Sequence, residues 1–291
     1  MIMDQAESLR IIKASRQARP LARVITVTSG KGGVGKSNTA INLAVWLKKL
    51  GKRVIILDAD FGLANIEIMF GTVPKHNLCD LIYQGKNIKD IITWGPGEVG
   101  FISGGSGIAG MSNLSNDYLN YIIQNLSELD SIADIIIVDT GAGISDAVLE
   151  FLVASGEILL ITTHEPTSIT DSYSLLKALA RHPRYNPQET TVRMIANRVS
   201  KEADGQTLYK KLNSVVQRFL KLPLTYLGCV PYDSQLSDAV MQQMPVSLKN
   251  PNAKSSQAYE QIARALLDEK EAGVKPARGM AAFFSHIVSR R

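Results

Sequence analysis

The chain has 291 residues, 45% of them hydrophobic and 20% charged, a balance that supports a packed core and excludes a disordered or collagen-like chain. It carries a net charge of +5 and only two cysteines, Cys79 and Cys229, outside any CxxC pair, so neither a disulfide scaffold nor a zinc site is expected. No apolar run approaches the ~20 residues that span a bilayer, and Arg10, Lys13, Arg16 and Arg19 interrupt the region where a signal peptide needs an apolar stretch.

In chain order, residues 1–19 read as helical, with Ala6, Leu9 and Ile12 on one face. Short β-branched runs follow at 24–28, 54–57, 99–102, 135–138, 158–162, 192–196 and 224–230. Most are continuously apolar, the pattern of strands buried on both faces. Helical stretches at 38–50, 118–130, 168–180 and 208–220 lie among them. This alternation predicts an α/β fold, a mostly parallel twisted sheet of about seven or eight strands with helices on both faces. Residues 23–268 read as one domain, preceded by segment 1–22 and followed by tail 269–291. In that tail, 269–279 reads as a tether and 280–288 as a short helix.

The basic charge belongs to the ends. Residues 1–23 hold five basic and two acidic residues, and residues 270–291 hold five and one. Between them stand 22 basic and 24 acidic residues. A near-neutral core argues against a nucleic-acid surface.

After the first strand comes Gly30-Lys31-Gly32-Gly33-Val34-Gly35-Lys36-Ser37, then Asn38 and Thr39. This is GxxxxGK[ST] in the strand–loop–helix setting that a phosphate-binding loop requires. The glycines let backbone N–H groups turn toward phosphate oxygens, and the helix N-terminus adds positive potential. Lys36 would reach the β- and γ-phosphates of a nucleotide, Ser37 would ligate Mg²⁺, and Thr39 would contact the α-phosphate. Acidic residues close two strands: Asp58 and Asp60 after the second, Asp139 at the fourth. Carboxylates at this sheet edge face the ligand crevice. Asp139 would hold Mg²⁺ through water, with Asp58 beside it.

The Lys31-containing loop resembles the deviant Walker A motif of the MinD/ParA ATPases. In that family a second lysine crosses a dimer interface to the partner's nucleotide. The resemblance implies an ATP-dependent homodimer and a P-loop NTPase fold that hydrolyses ATP to ADP, and turnover without a partner should be slow because the sequence offers no other obvious catalytic base. It gives Lys31, Lys36 and Asp60 the catalytic roles, Asp60 orienting the attacking water. It makes Gly141–Gly143 the loop that senses the γ-phosphate and Asn65 a switch position. Asn197 with Arg198, and Pro231 with Tyr232 and Asp233, would hold adenine, and Glu165 would lie near the partner's nucleotide.

The last residues place Met280, Phe283, Phe284, Ile287 and Val288 on one stripe. A short basic amphipathic helix on a tether reads as an anchor to anionic lipid, strengthened when two copies act together. At the other end, Asp4-Gln5-Ala6-Glu7-Ser8-Leu9-Arg10 matches DQAxxLR. That element, with the strings at 58–65 and 165–171 and the Phe283-Phe284 tail, resembles the flagellar-number-regulator branch of the MinD/ParA family. The branch implies that Asp4, Gln5, Ala6, Leu9 and Arg10 stimulate a signal-recognition-type flagellar GTPase (FlhF). It also implies flagellar basal-body or transcriptional partners, and a cytoplasmic protein that visits the membrane at the cell pole. The competing reading is a septum-site or partition-type positioning ATPase that binds DNA.

Overall fold

The computed structural model describes residues 21–60, 65–104, 123–268 and 279–288. The segment with Asp4, Gln5, Ala6, Leu9 and Arg10 lies outside them, as do 118–122 and the 269–278 tether.

Eight strands form one sheet: β1 (Arg23–Thr28), β2 (Val54–Ala59), β3 (Thr93–Trp94), β4 (Gly100–Ser103), β5 (Ile135–Thr140), β6 (Glu157–Thr162), β7 (Thr191–Val199) and β8 (Leu224–Pro231). Their order is β3-β4-β2-β5-β1-β6-β7-β8. All neighbours run parallel except β3 and β4. The seven strands read from the sequence are present. The eighth, β3, is a two-residue antiparallel edge whose pairing with Phe101 and Gly100 depends on the fold.

Among the described residues the helices of six or more residues are α1 (Lys36–Lys49), α2 (Asn65–Phe70), α3 (Leu78–Gln84), α4 (Asp146–Ala154), α5 (Pro166–Arg181), α6 (Glu202–Leu220), α7 (Ser234–Met241), α8 (Lys254–Asp268) and α9 (Gly279–Val288). The stretch expected to be helical at 118–130 is helical at 123–127 and breaks before a short helix at Leu129–Ile132. The sequence reading missed α8 because its buried face includes Ser255, Ser256 and Ala263 beside Tyr259, Ile262 and Leu266.

Alternation along the strands builds two cores. Ile135 and Ile137 join the cluster under α1 and α8, whereas Ile136 and Val138 point to the opposite face. That second face is covered by α3, α4 and α9 over one half of the sheet, and by α5 and α6 over the other. The apolar stripe expected to meet lipid is therefore docked: Met280, Phe283 and Phe284 are buried, and Ile287 packs against the same cluster. Among the described residues, no helix is long and apolar enough to cross a membrane.

Candidate nucleotide site

The loop at 30–37 joins β1 to α1 at the carboxyl edge of the sheet. Two glycines there are required by geometry. A Cβ on Gly30 would stand 2.2 Å from the backbone carbon of Asp171 in α5. Gly35 has φ 96°, and a Cβ on it would meet the Asn197 amide nitrogen at 2.3 Å. No side chain caps α1 and no acid lies in its first turn. Its leading N–H groups therefore remain available to an anion.

Sheet register supplies the carboxylates. In the β2–β5 pairing Asp58 stands directly opposite Asp139, although the two are far apart in sequence. Asp139 is fully buried, and Lys36 Nζ lies 3.4 Å from its Oδ1. Burial pushes the Asp139 carboxyl up, against the pull of Lys36 and the Ser37 hydroxyl. Its Oδ2 is buried without a hydrogen-bond partner. An orphaned anionic oxygen beside Ser37 fits a divalent cation. Among the described residues no three His, Cys, Asp or Glu side chains form a metal cage. Mg²⁺ is held by one or two protein oxygens together with phosphates and water, so Ser37 and Asp139 are the side chains that would hold it.

Asp58 is committed to backbone. Its Oδ1 accepts the Asp60 amide at 3.1 Å and its Oδ2 the Ile66 amide at 3.3 Å. It thereby caps the start of α2 and stands beside the metal position rather than offering a free oxygen to it. Burial and the neighbouring Asp139 push its carboxyl up to about 7. Asp60 is tied to Asn65, whose Nδ2 donates to Asp60 Oδ2 at 3.1 Å. A Cβ on Gly141 would sit 3.3 Å from Asp60 Oδ1. The three expected switch positions thus meet.

Lys31 makes a different set of contacts. Its Nζ donates to Glu165 Oε2 at 2.5 Å and to Thr167 Oγ1 at 2.8 Å, where β6 passes into α5. The hydrogen bond and charge of Lys31, with a smaller share from Arg198, hold the Glu165 carboxyl below its ordinary value. Thr167 has no place in the sequence reading, although it lies in the same 165–171 string.

The expected base-binding residues share a cavity of about 270 Å³. Asn38, Asn197, Arg198, Pro231, Tyr232 and Asp233 line it. So do Leu236, Val240 and Met241 of α7, a helix the sequence reading did not place. Asn197 also braces the loop, donating to the Val34 carbonyl at 2.7 Å. Arg198 adopts φ 57° at the bulge between β7 and β8, a conformation that re-aims its side chain. Asp233 is structural: it accepts from the Gln235 amide, and from the amide and hydroxyl of Ser255. It therefore caps α7 and ties it to α8. The Thr39 hydroxyl donates to the Gly35 carbonyl at 2.9 Å.

This is the anatomy of a P-loop nucleotide-binding protein. Residues 25–246 match the CobQ/CobB/MinD/ParA nucleotide binding domain. The antiactivator FleN of Pseudomonas aeruginosa is 41% identical over 242 residues, covering 83% of this chain and 85% of that protein. The flagellum site-determining protein YlxH of Helicobacter pylori is 33% identical over 290 residues, covering 98% and 96%. Among solved structures, the septum site-determining protein MinD from Pyrococcus horikoshii, complexed with Mg-ADP, superposes with a TM-score of 0.66 at 23% identity, over 87% of this chain and 98% of that one. The MinC:MinD complex of Aquifex aeolicus gives 0.65 at 24%, over 85% and 96%. The chain belongs to the MinD/ParA family, as a MinD-like ATPase in the branch that contains FleN and YlxH.

Proposed function

We propose that the chain is an ATP-driven switch that controls the number and placement of flagella. The observation that carries this reading is the division of labour between two lysines. Lys36 faces the buried Asp139, whereas Lys31 sits at the half-exposed mouth on Glu165 and Thr167. A cation held at the mouth is free to serve a second copy. In this reading ATP with Mg²⁺ occupies the loop, with Ser37 and Asp139 at the metal. Two chains meet face to face, and Lys31 of each completes the other's site. Asp60 orients water toward the γ-phosphate, giving ADP and phosphate. Lys36 and Lys31 offset the charge that develops on the transferred group.

The dimer would act at two surfaces. The helix would leave the groove that holds Met280, Phe283, Phe284 and Ile287, and its stripe, with Val288, would meet anionic lipid at the inner membrane face. The element Asp4–Arg10 would stimulate the flagellar signal-recognition-type GTPase, FlhF. The names of FleN and YlxH, an antiactivator and a flagellum site-determining protein, support the flagellar role.

Light scattering after size exclusion tests the switch. Asp60→Ala with Mg-ATP is expected to elute as a dimer, and a monomer under every condition would overturn the reading. Vesicle flotation of the chain lacking residues 279–291 is expected to fail. A peptide of residues 1–23 should raise turnover of the GTPase, and its Gln5→Ala form should not.

A further inference from the structure

The two ends of the described chain meet at one carboxylate. Asp130 lies half-buried ahead of β5. Its Oδ1 accepts the Met280 amide at 2.9 Å, in the first turn of α9. Ala22, the residue that leads into β1, lies close enough for its backbone amide to favour the charged form of the same carboxyl. Asp130 also crowds the helix entry, since a Cβ on Gly279 would stand 2.6 Å from its Oδ2. Ala22, Met280, Phe283 and Phe284 are all buried in one cluster with Phe151, whose ring lies 5.9 Å from that of Phe283. At the far end of α9, Arg184 donates to the His286 carbonyl at 2.5 Å and pairs with Glu150. The helix is thus held by an anion at its N-terminus and a cation at its C-terminus, the polarity its dipole favours.

We propose that Asp130 couples the two ends of the chain, so that docking of α9 fixes the root of the N-terminal segment and release of one loosens the other. Its functional consequence rests on the reading above, in which the N-terminal segment engages a protein and α9 engages lipid. With α9 docked, Met280 and Ala22 lie against one carboxylate and under one apolar cover. When α9 leaves, Ala22 loses the cover of Met280 and the phenyl rings, and Asp130 gains access to water. Coupling of this kind is reciprocal. A partner that binds the N-terminal segment better once Ala22 is released is therefore favoured by an anionic lipid surface that takes up α9, and favours that surface in turn.

Residue-resolved hydrogen exchange on the full chain, without nucleotide, tests the coupling. Arg184→Gln loosens the far end of α9 without touching Asp130 or Ala22. The Met280 and Ala22 amides are expected to exchange faster together, by about tenfold for one lost charge-assisted hydrogen bond. Adding Arg184→Gln to Asp130→Ala should bring no further rise at Ala22. Phe284→Asp, which expels the stripe, is the second perturbation. Unchanged protection of Ala22 in both Arg184→Gln and Phe284→Asp would overturn the proposal. Vesicles of phosphatidylglycerol and phosphatidylethanolamine form a separate arm. If they leave the 280–287 amides protected, the lipid reading fails while the exchange result for the variants stands.

Discussion

Asp58→Asn should make the nucleotide-free protein more stable at pH 8. The Asp58 carboxyl is pushed from an ordinary 3.8 up to about 7, first by burial and next by Asp139 opposite it in the sheet. Between those values the folded chain holds a proton that the unfolded chain gives up. Stability therefore falls as pH rises through this window and is lowest above it. The full shift corresponds to about 4 kcal/mol at pH 8, about 1.5 kcal/mol at pH 5, and nothing below pH 3. Asparagine removes that term. It keeps one acceptor, so either the Asp60 or the Ile66 amide loses its partner, at a cost of about 1.5 kcal/mol. The variant should then be about 2–3 kcal/mol more stable at pH 8 and roughly level with the natural chain at pH 5. Urea unfolding at the two pH values, read as midpoint times slope, measures this. A variant less stable at pH 8, or one with the same advantage at both, would refute the raised carboxyl of Asp58.

Three further outcomes are expected. Glu165→Gln removes the charged acceptor of Lys31, so the ATP concentration at half-maximal dimer should fall several-fold, as seen by light scattering. An unchanged midpoint would show that the pair does not restrain Lys31. Gly30→Ala drives a methyl into the Asp171 backbone, which cannot yield as a side chain does. Titration with a fluorescent ATP analogue should show at least about a tenfold loss of affinity, and natural affinity would refute the packing argument. Phe283→Asp puts a charge into a fully apolar cluster, so α9 should leave its groove and its 280–287 amides should become open to hydrogen exchange. Natural protection would show that the stripe does not hold the helix.

Much of this protein is legible in the sequence because the signals are local. Continuous apolar runs mark strands covered on both faces. The glycine loop with Lys36 and Ser37 carries its chemistry in eight consecutive positions. Asp58, Asp60 and Asp139 stand at predicted strand ends, the edge where a parallel sheet binds ligands. Helices α7 and α8 are not legible because they bury small or polar residues such as Ala239, Ser255 and Ala263 that carry little hydrophobic period, and α4 because its nearly continuous apolar run, with Val148, Phe151, Leu152 and Val153 all buried, has no polar face to set a helical period.

What tertiary structure alone decides are the pairings between distant segments. Register sets Asp58 opposite Asp139, and so raises a carboxyl that looks ordinary in the sequence. Packing of β1 beside β6 brings Lys31 to Glu165 and Thr167. Asp233, which reads as a base contact, lines the cavity of the other base-binding candidates and also caps α7 and ties it to α8. The terminal stripe looks the same whether it faces lipid or its own domain, since either removes apolar surface from water. Only a complementary groove, with Phe151 beneath it, Asp130 at one end and Arg184 at the other, shows that the protein can bury the stripe itself.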